Sequence, residues 1–317
     1  MRPWQIDPPP QLRQRRLTLG EAKPKPWEVD MTLCIAALCQ EGGDKYAAIC
    51  FDQRVQTHIA SAETEFKYVH LGPNWAALIA GQIPLARELT TAYKTMLRNP
   101  RPALNESNVL NYLYKPINSL RRSMASRYSQ DRLAMDYDTL LRDGQKQLPE
   151  DLFRQVMYDV AAQEMKVELI LIGWMNRRFN LFKLSFGNVY RCEPFAVIGS
   201  GTSVAEPALY HREVSEFWDM GKALYAVYEA QILGQIAPGV GKKYQVALLA
   251  NDGQGIYPRV VKKTSKTFLA EKYAQYAPRE LGDDFTLPAG FFLEFMPKGV
   301  RKPNAKTKRR NRRPRRA

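Results

Sequence analysis

Short stretches of apolar residues with strand-like patterning begin at residue 32 and recur along the chain. TLCIAALC and KYAAICFDQRV flank QEGGD, whose Gly-Gly-Asp predicts a hairpin turn. FKYVHLG and NWAALIAG follow as a second predicted strand pair around Gly72-Pro73. Farther along, KVELILIGWM and RFNLFKLSF predict a hairpin across Asn176-Arg177. PFAVIGSG is a short predicted strand that ends in glycines, and KKYQVALLAN is a late one.

Helical periodicity separates these strand blocks. IPLARELTTAYKTMLRN has apolar residues at Leu85, Leu89, Tyr93 and Met96, which predicts a helix after Pro84. Further helices are expected near 109–128, 149–165, 203–211 and 214–234, with the polar spacer DYDTLLRDGQKQLP between the first two. Strands and helices therefore come in blocks, not as alternating βαβ units. This order predicts an α+β fold of antiparallel sheets with helices packed outside them.

Charge divides the 317-residue chain into three parts. Of the formal net charge of +15, residues 298–317 supply +11 without a single acid, and the proline-rich residues 1–30 supply +2. The remainder carries about +2, so the basicity belongs to the tail. We expect a leader at 1–31, a folded domain at 32–297 and a disordered basic tail at 298–317. Such a tail attracts polyanions weakly and in a salt-dependent way, and it lacks aromatic residues for stacking on bases.

Composition excludes several classes of protein. No apolar run approaches the roughly 20 residues of a membrane span, and the N-terminal residues lack the apolar core of a secretory signal. The four cysteines form no CxxC pair, and the three histidines lie far apart, so neither disulfides nor a zinc site is expected. The sequence contains no phosphate-binding motif. We expect a cytoplasmic protein without a metal or cofactor.

Three residues at strand ends or beside turns are candidates for chemistry: Thr32, Asp52 and Lys67. Each also has an ordinary interpretation. Thr32 is a good strand former, and Asp52 suits a turn or cap, where it could pair with Arg54 or with a lysine. Strand periodicity alone predicts Lys67 to face solvent. Their chemistry becomes connected only if Thr32 carries a free α-amine.

A threonine hydroxyl is a weak nucleophile and needs an adjacent base. An α-amine has a reference pKa of about 7.7–8.0 and can accept the hydroxyl proton directly or through a water. A neighbouring Lys⁺ lowers the pKa of both groups, and an Asp keeps that lysine charged and oriented. A backbone N–H at a flexible glycine can stabilise the oxyanion, and Gly81, at the end of NWAALIAG and before a predicted helix, occupies a suitable position.

The ordered set TLCIAAL, AAICFDQRV, TEFKYVHLG, NWAALIAGQ and LILIGWMNRRFNLFKLSFGNVYRCEPFAVIGSGTSVAEPAL resembles the proteasome β-subunit type of N-terminal nucleophile (Ntn) hydrolases, over about residues 32–250. The resemblance implies a four-layer αββα sandwich and a threonine peptidase. Carried over by position, Thr32 is the nucleophile and base, Asp52 and Lys67 the activating pair, Gly81 the oxyanion donor, and Ser200 an assistant near the amine. It also implies polypeptide substrates and a homo-oligomeric ring, without identifying an ATPase or unfoldase partner.

Several features depart from that family. Residues 99–150 resemble a helical insertion, and the family's later Asp-x-x-Ser-Gly element should fall near QIAPGVGKK, which has neither Asp nor Ser. Met31 stands where self-processing members usually have glycine. If translation instead begins at Met31, removal of that methionine exposes Thr32 without autolysis.

Three hypotheses therefore remain open from the sequence. The first is a threonine peptidase or amidohydrolase that uses Thr32. The second is a catalytically inactive, ring-forming structural subunit that retains its leader. The third is a polyanion-binding protein that acts through its tail. Cys34 is a weak alternative nucleophile, because it lies two residues along the same strand but has no free amine.

Overall fold

The computed structural model of the protein describes residues 32–277 except 54, 57–60, 63–66 and 101–102. The predicted leader, the expected domain end at residue 297 and the basic tail lie outside the described residues. In chain order, the strands are β1 (Cys34–Glu41), β2 (Asp44–Asp52), β3 (Val55–Gln56), β4 (Ser61–Ala62), β5 (Tyr68–Gly72), β6 (Trp75–Gly81), β7 (Val167–Met175), β8 (Arg178–Ser185), β9 (Asn188–Cys192), β10 (Phe195–Ile198), β11 (Tyr244–Asn251) and β12 (Ile256–Val260). The helices are α1 (Ile83–Leu97), α2 (Val109–Leu133), α3 (Tyr137–Gln147), α4 (Glu150–Ala161), α5 (Thr202–His211), α6 (Met220–Gly234) and α7 (Lys263–Tyr276).

Ten of the described strands form two antiparallel sheets of five. The first sheet has the order β10-β1-β2-β11-β12, and the second has the order β5-β6-β7-β8-β9. Strands β3 and β4 pair with each other as a small separate ribbon. The predicted class, a mixed α+β fold with antiparallel sheets, is confirmed.

Two hairpins use the turns that the sequence predicts. Between β1 and β2, Gly42 and Gly43 both have positive φ, at 60° and 91°, which glycine adopts without steric cost. Between β7 and β8, Asn176 and Arg177 have φ of 52° and 58°. Two consecutive residues with positive φ match a type I′ turn, whose twist suits a two-residue hairpin.

Three hydrophobic clusters bury both faces of each sheet. The middle cluster joins the facing sides of the two sheets, for example Ile49 of the first with Leu78 and Ile170 of the second. A second cluster packs residues of the first sheet against α5, α6 and α7. A third packs the second sheet against α1 and α2. Because β1 contributes to two clusters, its two faces are both apolar, and its sequence is a continuous apolar run.

The polar spacer at 136–149 contains α3, which the sequence did not predict. The Asp136 carboxylate accepts a hydrogen bond of 3.0 Å from the Thr139 backbone N–H and caps the helix. The helix buries Leu140 and Gly144, and its other face is largely polar. A helix that buries about one residue per turn has too weak an apolar periodicity to be recognised in the sequence. Asp136 is, in contrast, a recognisable N-cap residue type. Helices α2 and α3 occupy most of residues 99–150.

Three peripheral elements were also missed: β9, β12 and α7. The two strands lie at the edges of their sheets and have mixed burial, so they lack the long apolar runs of the central strands. Helix α7 presents Phe268 and Tyr276 to solvent and buries Leu269, which blurs its helical periodicity. Patterning is weak in these elements because exposed and buried positions do not follow a regular period.

Candidate active site

The ends of three neighbouring strands of the first sheet lie side by side, at the edge of the sheet where these strands begin or end. Thr32 lies two residues before β1, Asp52 ends β2, and Ser200 follows β10 by two residues. Strand β1 lies between the other two, with Cys34 paired with both Phe51 and Ile198. Antiparallel pairing thus brings together the beginning of one strand and the ends of its two neighbours, which are remote in sequence.

The Asp52 carboxylate is fully buried and is the centre of this cluster. Its Oδ1 accepts hydrogen bonds from Thr32 Oγ1 at 2.7 Å, from the Leu33 N–H at 3.0 Å and from Lys67 Nζ at 2.6 Å. Its Oδ2 accepts one from the Gly241 N–H at 2.8 Å. Four donors hold the carboxylate in one orientation.

Lys67 reaches this carboxylate from the second sheet, just before β5. Its side chain is 7% exposed, and that of Asp52 is 0% exposed, so the ion pair spans the two sheets away from solvent. The expectation from periodicity that Lys67 faces solvent is therefore wrong. A buried ammonium needs a counter-ion, and Asp52 lies at hydrogen-bond distance. Arg54, the other predicted partner of Asp52, lies outside the described residues.

Ser200 contacts the backbone of Thr32 on both sides. The Thr32 N–H donates to Ser200 Oγ at 3.1 Å, and Ser200 Oγ–H donates to the Thr32 carbonyl at 3.3 Å. The turn approaches so closely because Gly199 has φ of 94°, and a Cβ there would lie 2.3 Å from the Thr32 carbonyl oxygen. A side chain at position 199 would push Ser200 away from Thr32.

Gly81 ends β6 with φ of 91° and lies against β7, where a Cβ would meet the Lys166 carbonyl oxygen at 2.5 Å. This close packing explains the glycine at position 81. The structure brings Thr32, Asp52, Lys67 and Ser200 together, whereas the contacts of Gly81 are with β7. Its proposed role as an oxyanion donor stays a prediction.

Two residues near the site were missed by sequence reasoning. Gly241 lies in QIAPGVGKK, the segment singled out for lacking Asp and Ser, and its backbone N–H reaches Asp52. A backbone donor leaves no side-chain signature in a sequence. Glu168 on β7 accepts a hydrogen bond from the Gly199 N–H at 2.8 Å. Its signal was visible, since it is the one charged residue within the apolar run VELILIGWM.

Cys34 is buried near the same cluster but is a poor nucleophile. Burial raises the pKa of its thiol well above the ordinary value, and the nearby charge of Lys67 lowers it by a smaller amount. The thiol donates a hydrogen bond of 3.4 Å to the Ile79 carbonyl of the second sheet. A protonated, fully buried thiol with no adjacent base is an ordinary core residue.

No protein-family model matches the sequence, and no curated protein matches it. Of the helices that the structure describes, none is long and apolar enough to cross a membrane. Within the described residues, no group of three or more His, Cys, Asp or Glu side chains is placed to hold a metal ion.

Proposed function

We propose that the protein is a threonine-type amide hydrolase, most closely a peptidase, with Thr32 as its nucleophile. The observation that supports this most directly is the buried cluster in which Asp52 Oδ1 accepts hydrogen bonds from both Thr32 Oγ1 and Lys67 Nζ. A hydroxyl and an ammonium on one carboxylate oxygen lie close together in a region of low polarity. There the lysine charge favours development of negative charge on the hydroxyl oxygen.

The base in this proposal is the α-amine of Thr32 itself, freed by removal of residues 1–31 or by translation from Met31. As an amide, the Thr32 nitrogen can only donate its proton, as it does to Ser200. As a neutral amine in the same position it carries a lone pair, and Ser200 and the ion pair hold it beside its own hydroxyl. Such a fixed arrangement replaces a bimolecular proton transfer by an intramolecular one.

Every bond that forms in the proposed reaction is matched by one that breaks, and every proton has a donor and an acceptor. Thr32 Oγ attacks the carbonyl carbon of a substrate amide while its proton passes to the α-amine. The C–N bond then breaks, and the leaving amine takes a proton from the α-ammonium. Water attacks the resulting ester and gives a proton to the α-amine. The ester C–O bond breaks, and that proton returns to Thr32 Oγ as the carboxylic acid departs.

The same proposal includes the specific fold type and the oligomeric assembly of the protein. Two facing antiparallel sheets, each with helices against its other side, support a four-layer αββα sandwich of the Ntn-hydrolase type. Such a fold, combined with the sequence resemblance, favours polypeptide substrates and a homo-oligomeric ring in the cytoplasm. The oxyanion of the intermediate is assigned to the Gly81 N–H, and the identity of any unfoldase partner is left open.

Intact-mass analysis with a peptidyl β-lactone tests the nucleophile. Ring opening transfers the acyl group to the hydroxyl, so the chain gains the whole mass of the probe. We expect one addition, located on the N-terminal peptide that begins at Thr32. Labelling should disappear in Thr32→Ala and persist in Thr95→Ala, a matched control because Thr95 is exposed on α1.

Two outcomes contradict the proposal. Labelling that survives Thr32→Ala places the nucleophile elsewhere. A native chain that begins at Met1 and takes up no probe instead supports the inactive structural subunit, since its Thr32 nitrogen is then an amide.

A further inference from the structure

We infer that Glu168 is a positioning residue for the Thr32 site: from the second sheet, it holds the Gly199–Ser200 turn of the first sheet against Thr32. This inference rests on the proposed hydrolase function. It assigns a role to a carboxylate that the proposed mechanism does not use.

Both carboxylate oxygens of Glu168 have defined partners. Oε2 accepts the Gly199 N–H at 2.8 Å, and Oε1 accepts Ser185 Oγ–H at 2.5 Å. Ser185 is the neighbour of Glu168 across the β7–β8 ladder, because Leu169 pairs with Leu184 one position further in. Ser185 thus fixes the Glu168 carboxylate in one rotamer. That carboxylate then holds the Gly199–Ser200 turn in place.

The bond from Gly199 connects the two sheets at the edge where the site lies. Glu168 sits on β7 of the second sheet, and Gly199 directly follows β10 of the first. The Lys67–Asp52 pair joins the same two sheets at the same edge. The site is therefore held by two polar bridges between the sheets. One orients the nucleophile's hydroxyl, and the other orients the turn that contacts its nitrogen.

Several hydrogen bonds hold the Gly199–Ser200 turn. The one to Glu168 lies where the turn leaves β10. The Gly199 carbonyl accepts from Thr202 Oγ1 at 2.6 Å and from the Thr202 N–H at 3.1 Å. The Gly201 N–H donates to the Thr32 carbonyl at 3.3 Å. Without Glu168, the Gly199 N–H loses its acceptor, and the Ile198–Gly199 peptide at the start of the turn is free to rotate.

Such a rotation matters because Ser200 Oγ is already 3.1 Å from the Thr32 nitrogen. Hydrogen bonds weaken steeply beyond this distance, so a shift of a few tenths of an ångström releases the nitrogen. Loss of alignment between an amine and its own hydroxyl lowers the rate of proton transfer without removing any binding contact. The expected effect is on kcat and not on KM.

The test compares Glu168→Ala, Glu168→Gln and the control Glu164→Ala in the protein whose chain begins at Thr32. We measure kcat and KM on a fluorogenic peptide amide, the rate of Thr32 labelling by the β-lactone, and hydrogen exchange of the Gly199 amide. Glu168→Ala should lower kcat by about 10- to 100-fold with KM within about twofold, and should speed exchange at Gly199. Glu168→Gln retains a carbonyl acceptor and should keep most of the activity. Glu164 is exposed four residues upstream, and its removal should change nothing.

A second variant protects the test against misfolding of Glu168→Ala. Ser185→Ala leaves Glu168 in place but removes the bond that orients it, so a smaller loss of kcat in the same direction is expected. Unchanged kcat in Ser185→Ala together with equal losses in Glu168→Ala and Glu168→Gln would overturn positioning by hydrogen bonding.

The outcomes also separate this inference from the function on which it rests. Labelling of the wild type and of Glu168→Ala at the same rate contradicts the role of Glu168 alone. Absence of labelling in the wild type contradicts the hydrolase, and with it any catalytic positioning.

Discussion

At the scale of single residues, Asp52 is the side chain on which the most contacts converge. Its four hydrogen bonds come from two side chains and two backbone N–H groups, contributed by both sheets and by the segment before β11. A buried ion pair is not stabilising in itself, because both charges have lost their hydration. It does become strongly unfavourable when one partner is removed, since the other charge then stays buried without compensation.

Asp52→Asn tests this arrangement. The variant leaves the Lys67 ammonium buried without a counter-ion. The side-chain NH₂ group of the new asparagine also faces one of the groups that now donate a hydrogen bond to Asp52. We expect a loss of about 3–5 kcal/mol in the free energy of unfolding, measured by urea denaturation. Thr32 labelling should also fall by at least about 100-fold, because the hydroxyl loses its orientation.

The control is Glu88→Gln, which breaks an exposed ion pair of 2.8 Å with Arg127. Those side chains are 40% and 60% exposed, so the loss should be about 0–1 kcal/mol. Equal effects of the two substitutions would show that the Asp52 site is no more than a surface contact.

At the scale of elements, helix α6 shows how a cap sets a boundary that periodicity leaves vague. The sequence predicted a helix over 214–234, whereas the helix begins at Met220. The Asp219 carboxylate accepts a hydrogen bond of 2.8 Å from the Lys222 N–H. The backbone of Asp219 is extended, so the helix begins after this residue. Val214 and Trp218, which precede it, pack on the same core as the helix without being part of it.

The cap makes a pH-dependent prediction. The Lys222 N–H is the main cause that lowers the pKa of Asp219 below its ordinary value of 3.8. A lowered folded pKa stabilises the fold above the unfolded value, and the stabilisation is lost as pH falls through the folded value. Asp219→Ala should therefore cost about 1 kcal/mol of unfolding free energy at pH 7. That difference should shrink when urea denaturation is repeated below about pH 3.8.

Asp219→Asn is the matched variant. Its amide oxygen caps the helix as well as a carboxylate but does not titrate, so its stability at pH 7 should lie within a few tenths of a kcal/mol of the wild type. A constant difference between Asp219→Ala and the wild type down to pH 3 would argue against the carboxylate as the titrating group.

At the scale of the whole molecule, the excess positive charge and the candidate site lie in different parts of the sequence. Residues 298–317 carry eleven Lys or Arg residues, whereas the chain from 31 to 297 is close to neutral. Nonspecific binding to polyanions scales with the number of phosphates neutralised and falls with salt. We therefore expect that polyanion binding and the proposed hydrolysis can be removed separately.

Deleting residues 298–317 tests this separation. The truncated protein should elute from a heparin or phosphate resin at markedly lower salt, while its rate of Thr32 labelling stays unchanged. A full-length variant with the tail Lys and Arg residues replaced by Gln should behave like the truncation, which separates charge from length. Unchanged retention in both variants would place the polyanion contact on the folded domain.

The sequence by itself determined the local features. Apolar runs and turn residues placed β1, β2, β5–β8, β10 and β11, because strand patterning and positive φ are properties of neighbouring residues. Ordered motifs also selected Thr32, Asp52, Lys67 and Ser200, the four residues that the fold then gathers at one edge.

Only the tertiary structure decided which groups contact one another. It buried Lys67, which periodicity alone assigns to the surface, since a neighbouring sheet covers it. It brought the Gly241 N–H to Asp52 across 189 positions, and Ser200 to Thr32 across 168. It also connected Glu168 to the turn that contacts Thr32. Contacts of this kind depend on which strands pair and on how the two sheets pack against each other, and no pattern within a single strand specifies either.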